Sequence, residues 1–307
     1  MTHRKTERMF KHIKLNATLL AAALLVGTAC NKSQQVVEGD PGFIGNPAAA
    51  APVGYAPAGQ LTSTSLGTNG IIQKISYNSR QQPLVITHYA GNFLTDKDSV
   101  VYDASGKLLK VLNYTPDFLV NGKFELSGTT TFEWDSKGYI SRKKVVSQEG
   151  GTLETDDRYT YDATGRLLYV TTKTDPRVTP GTIVTTYSYE NKNIKKVTRT
   201  NGTEVIARLL VTGFDNRPTF ITHPLLPYLL DGADNDVFSE HNAVETKNIV
   251  YIKINGKLDS TVTVTKNTFQ YNAVNRPVKV SFKSTISSGG NPKPITSSGD
   301  LNYTYAK

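Results

Sequence analysis

The chain predicts an all-β fold: a repeat-built antiparallel meander of many hairpins that curls into a barrel-like sheet, with one irregular insertion. Three observations predict it. Two aromatics, an Asp or Asn, and a Gly or Asn recur as one short phrase at a nearly constant spacing. The stretch after each phrase is rich in β-branched and aromatic residues. Several of these return stretches, such as Leu167 to Val170 and Leu108 to Leu112, are apolar on both faces, so the sheet must curl or be covered.

The phrase is clearest from Arg158 to Thr171. Tyr159 and Tyr161 are two apart and share a face of an extended chain. Asp162 to Gly165 fits a type I turn, with Asp able to bond the backbone two residues on and Gly supplying the positive φ of a bulged hairpin loop. The same grammar appears at Tyr102 with Asp103 and Gly106, and at Trp134 with Asp135 and Gly138. Asn stands for Gly at Asn193 after Tyr189 and at Asn275 after Tyr271. Tyr77 leads into Asn78 but has Gln81 where Gly is expected, and Phe214-Asp215-Asn216-Arg217-Pro218 reads as a shortened loop. From Tyr77 through Tyr102, Trp134, Tyr161, Tyr189, Phe214, Tyr271 and Tyr305 the gaps are 25, 32, 27, 28, 25, 57 and 34 residues. The gap of 57 holds one more turn, Asn255-Gly256. The period implies roughly 14–16 strands. Pro83 and Pro277 follow their aromatic at one offset, which marks a position whose N–H the ladder does not use.

Residues 1–29 read as an export signal. Five basic residues from Arg4 to Lys14 precede the apolar stretch Ala17 to Val26, too short to span a bilayer as a helix. It ends Val26-Gly27-Thr28-Ala29-Cys30, which resembles a bacterial lipoprotein signal, and that resemblance implies that Cys30 is lipidated. The full chain has 35 basic and 26 acidic residues; without the signal and its five basic and one acidic residues the net charge is +5. Those charges are scattered along strands as solvated faces, so no nucleic-acid partner is expected. Residues 30–70, rich in Gly, Pro, Ala, Ser and Thr, read as a flexible tether able to reach on the order of 130 Å. Residues 71–307 then form a single β-repeat domain, interrupted at 221–242 by a Leu/Pro-rich segment that must be buried in an opening of the sheet. Pro227 is placed to open a short helix through Leu229. Lys143-Lys144 and Lys195-Lys196 put charge on both faces of their strands, which disfavours a lipid-spanning barrel.

Phe214 to Pro218, the Leu/Pro insertion, Phe238-Ser239-Glu240-His241-Asn242-Ala243-Val244 and the tyrosine-ended strands resemble Bacteroidota cell-envelope lipoproteins with YD/RHS-like repeats. That resemblance, over about residues 70–307, implies a porin-like antiparallel fold and a cell-envelope location, most consistent with a lipid anchor in the outer membrane. It implies no catalytic residues.

Candidate chemistry is sparse. Asp231, Asp234 and Asp236 share a loop but lack the calcium-loop pattern and its closing glutamate. His88, His223 and His241 show no metal spacing, and no second cysteine accompanies Cys30. Glu240-His241 offers a proton-transfer pair, and Glu125, Glu133, Glu154, Asp156, Asp157 and Glu204 a pool for paired carboxylates, but nothing singles out two of them. There is no nucleophile elbow or phosphate-binding loop. One aromatic per repeat suits a packed interior, although Trp134 and Tyr228 would be sugar contacts if they faced solvent. We therefore expect no cofactor and no catalysis. The expected function is a non-enzymatic lipoprotein, with the membrane as partner through Cys30 and a glycan or envelope protein bound by loops or the concave sheet. The ligand contacts expected are Trp134, Tyr228, Asp231, Asp234, Asp236 and His241. The alternatives are a carrier of an apolar ligand and a carboxylate-dependent hydrolase.

Overall fold

The computed structural model describes residues 59–67, 70–91, 93–117, 123–148, 151–174, 181–230, 238–254, 257–288 and 291–306. The signal, Cys30 and most of the tether lie outside them, as do Asp231, Asp234 and Asp236.

Sixteen strands follow one another: β1 Leu61–Leu66, β2 Gly70–Tyr77, β3 Pro83–Ala90, β4 Phe93–Tyr102, β5 Leu108–Pro116, β6 Phe124–Trp134, β7 Ile140–Ser147 and β8 Leu153–Tyr161, then β9 Leu167–Thr174, β10 Thr182–Glu190, β11 Asn193–Asn201, β12 Glu204–Pro218, β13 His241–Ile254, β14 Lys257–Tyr271, β15 Pro277–Ser288 and β16 Asn291–Tyr305. A four-residue helix, α1 (Leu226–Leu229), lies between β12 and β13 with a proline in its first turn. Each strand pairs antiparallel with the next, and β16 pairs with β1, so the sheet closes into a barrel.

The repeated phrase sits on one end of this barrel. The strand ladder shifts register one step before the turn at Tyr77, Tyr102, Trp134, Tyr161 and Tyr271, which is the bulge expected of these loops. Oδ1 of Asp135 accepts from the N–H groups of Lys137 and Tyr139, and Oδ1 of Asp162 from those of Thr164 and Arg166. Gly106, Gly138 and Gly165 take φ values of 86°, 85° and 84°, while Gln81 and Asn275 hold the same place at 65° and 60°.

Three expectations are corrected. The domain begins earlier than residue 71: Leu61–Leu66, assigned to the tether, is β1 and closes the barrel against β16. In the unit after Tyr189 the positive φ belongs to Asn191, at 57°, because Glu190 pairs directly with Asn193 and the connection shrinks to two residues. Phe214 starts no hairpin; β12 runs on through bulges to Pro218 and delivers the chain into the insertion.

Alternation fixes the two faces. Along β15, Val280, Phe282 and Ser284 are buried while Lys283 is exposed; along β6, Thr130 and Phe132 are buried while Thr131 and Glu133 are exposed. The outer wall carries charge at mid-strand, including Arg142, Lys144, Arg158, Lys173, Lys247, Lys266 and Lys283. A hydrocarbon band tolerates such a wall poorly.

Candidate functional site: a polar belt above an aromatic floor

The rings that lead each turn form the floor. The Tyr77 hydroxyl donates to the Leu61 carbonyl at 2.7 Å, and that of Tyr102 to Pro83 at 2.6 Å. The Trp134 indole N–H donates to Leu108 at 2.8 Å. Tyr161, Tyr189 and Tyr305 reach Ile140, Leu167 and Pro277 at 2.7, 3.0 and 2.7 Å. In every case the acceptor is the first residue of the strand immediately before the ring's own. Each repeat thus bolts itself to the one before, with a bond worth about 0.5–1.5 kcal/mol. Burial holds the Tyr77, Tyr102 and Tyr159 hydroxyls well above the ordinary phenol range, and that of Tyr189 at about 12. Tyr271 departs from the rule: its hairpin follows the insertion, and its hydroxyl donates to Asp215 Oδ2.

The insertion seals this floor. Leu225, Leu226 and Leu229 are buried in one core cluster with Ile75, Tyr77, Tyr159, Tyr187 and Ile194. Phe220 stacks on Tyr303 with centroids 4.7 Å apart, and Tyr228 meets Tyr159 edge-on at 5.4 Å. The Tyr228 hydroxyl lies 2.8 Å from that of Tyr161. Backbone N–H groups of Leu61 and Ile194 donate to the hydroxyls of Thr222 and Ser239 at 3.0 and 2.9 Å. His223 accepts from the Leu225 N–H through Nδ1, and burial lowers its pKa to about 4.

One pleat above the floor the inward residues turn polar. Gln73 stands above Ile75, Asp98 above Val100, Thr130 above Phe132, Asp157 above Tyr159, Thr185 above Tyr187 and Arg199 above Val197. Neighbouring strands add His88 opposite Gln73, Asn113 opposite Asp98, and Lys143 and Thr172 opposite Asp157. The belt is cross-linked: Asp98 takes His88 Nε2 at 3.0 Å on one oxygen and Asn113 Nδ2 at 2.9 Å on the other, and Thr130 donates to Asn113 Oδ1 at 3.1 Å. Thr172 donates to Asp157 Oδ1 at 2.6 Å, and Lys143 faces Asp157 directly across β7 and β8. The Thr265 and Ser284 hydroxyls lie 2.8 Å apart. The sequence carries this signal four residues before six of the turn-leading rings, a position filled by Gln73, Asp98, Thr130, Asp157, Thr185 and Asn267, whereas Leu301 stands there before Tyr305.

Among the described residues, the candidates named from sequence lie apart from one another. Trp134 and Tyr228 belong to the floor and plug, with their N–H and hydroxyl engaged there. His241 bonds Asn193 through both its ring and its backbone N–H, while Glu240 pairs with Lys192 at 3.0 Å on the exposed side. The carboxylates diverge. Glu133 and Asp156 clamp Arg142 on the outer wall, Glu204 pairs with Lys253, Glu125 with Lys123, and Asp157 faces inward. Among the described residues no group of three His, Cys, Asp or Glu could hold a metal ion. A cavity of about 50 Å³ lies between Phe220, just ahead of the insertion, and Phe269, Phe282 and Leu301 of the wall.

These features define a closed sixteen-stranded antiparallel barrel with one end filled by its own insertion. No family model matches the sequence, and no curated protein does. Among solved structures the chain is similar to a porin-like protein from Bacteroides uniformis, at 13% identity over 82% of this chain and 98% of the other, with a TM-score of 0.40. It is also similar to a porin-like protein from Bacteroides vulgatus, at 11% identity over 81% and 99% with a TM-score of 0.42. A weaker likeness to TcdB2-TccC3 covers 78% of this chain and 14% of that one, at 12% identity and a TM-score of 0.29.

Proposed function

We propose that the protein is a non-enzymatic cell-envelope lipoprotein, held at the outer membrane through Cys30, that binds a glycan or an envelope partner with its polar inner wall and the loops above it. The belt is the observation that carries this reading. Asp98 and Asp157 bring carboxylates, His88, Lys143 and Arg199 bring nitrogen donors and Thr172 brings a hydroxyl, partly bonded to one another, on one continuous inward face beside the buried Thr130 and Thr185. Sugar hydroxyls demand that mixture. An apolar-ligand carrier fits less well, because the apolar interior is spent on the floor and plug. A hydrolase would need two carboxylates at a defined separation in one cleft, whereas the inward pair, Asp98 and Asp157, stand four strands apart on β4 and β8.

The test is glycan-array binding by the full chain, repeated with Asp157→Asn and Thr172→Val. Binding that weakens in both variants supports the inner wall; binding indifferent to both removes it. Anchoring is tested separately: radiolabelled palmitate should be incorporated in a bacterial host and be lost in Cys30→Ala.

A further inference from the structure

A second surface lies on the outside of the barrel, and the lumenal reading does not depend on it. Lys266 and Lys283 stand directly opposite one another on β14 and β15, both exposed. Like charges in that relation destabilise a sheet. Lys247 on β13 is exposed and lies diagonal to Lys266, since its own partner on β14 is Val264. Lys196 continues the row on β11, because Leu210 of β12 pairs with both Lys196 and Lys247. Four cations therefore cross five consecutive strands, a run of about 19 Å at the usual strand spacing of ~4.8 Å.

Little on the protein neutralises them. Glu245 reaches Lys266 at 3.3 Å, but among the described residues no carboxylate lies within ion-pair reach of Lys196, Lys247 or Lys283. Beside the row, the Arg208 guanidinium lies 5.9 Å from the centre of the Tyr251 ring on the same outer face.

We propose that this row binds a linear acidic polysaccharide. The lysines would meet successive carboxylates, and Tyr251 would give a sugar ring an apolar face. The curvature of the wall favours a chain over a membrane. The row runs across the strands of a closed barrel, where a flexible polymer can follow the curve and a flat anionic bilayer touches only part of it.

The test measures binding of the full chain to fluorescent polygalacturonate, which has one carboxylate per sugar, across a salt series. Polyphosphate and phosphatidylglycerol vesicles serve as parallel probes. Binding should weaken steeply with salt. The variant Lys247→Ser/Lys266→Ser/Lys283→Ser should lose about tenfold or more in affinity. A control of equal charge change, Lys107→Ser/Lys123→Ser/Lys137→Ser, should lose far less. Tyr251→Ala should weaken polygalacturonate binding and leave polyphosphate binding unchanged. Equal losses in the two triple variants, no binding of the polymer, or vesicle binding in its place would each overturn the proposal. Melting temperatures of the variants check folding, and removing the opposed lysines should leave the melting point unchanged or higher.

Discussion

Tyr102 shows how much one atom of the repeat contributes. Its hydroxyl is buried and meets the Pro83 carbonyl at 2.6 Å. Tyr102→Phe should lower unfolding free energy in urea by about 1–3 kcal/mol, because a buried acceptor loses its donor. Tyr169→Phe, on an exposed ring, should change it by less than about 0.5 kcal/mol. Gln81 makes the opposite case. It holds a φ of 65° in a turn that its sister units build with glycine. Gln81→Gly should therefore raise stability by about 1 kcal/mol, read from the same urea midpoint. The turn was legible from Asn78 and its spacing, since Asx chemistry is local. The ring-to-carbonyl bolts were not, because they join residues some 20 positions apart and depend on how successive hairpins stack. The recurring prolines were a partial clue: Pro83 and Pro277 supply two of the accepting carbonyls.

The insertion is the element on which the closed end depends. Its leucines and its short helix could be read from sequence, since a Leu-rich run with two prolines must be buried yet cannot form a long helix. Its partners could not, because they come from β1, β8, β10, β11 and β16. Leu226 is fully buried at its centre. Leu226→Ala should cost about 2–5 kcal/mol and loosen the whole floor. His223 adds a pH dependence. Its folded pKa, about 4, lies below the ordinary 6.5, so the unfolded chain takes up a proton that the folded chain refuses. Stability from this group is complete above the higher value and falls as pH drops towards the lower one. Melting temperature should therefore decline between about pH 6.5 and 4, and the decline should be shallower in His223→Asn. An equal decline in the variant would assign it to other groups.

At the scale of the whole molecule, closure turns a ribbon of hairpins into an inside and an outside. The period near 28 residues made a many-stranded meander legible. The seam was missed because β1 reads as Leu-Thr-Ser-Thr-Ser-Leu, and a bulge between Leu61 and Ser63 breaks the alternation that would have revealed its buried face. The polar belt was written at a fixed offset before six of the rings, but it gains meaning only once the rings are known to face inward. Lys143 and Lys144 illustrate the division: the first faces Asp157 on the inner wall, and the second faces Asp156 on the outer. The floor, the belt and the outer row all require that β16 meet β1. Spin labels at Ser65→Cys and Asn302→Cys, in a Cys30→Ala chain, measure that seam by double electron–electron resonance, since these positions are paired across it. The closed barrel predicts a label separation below about 20 Å; an open sixteen-stranded sheet would put the two edges about 70 Å apart and contradict it.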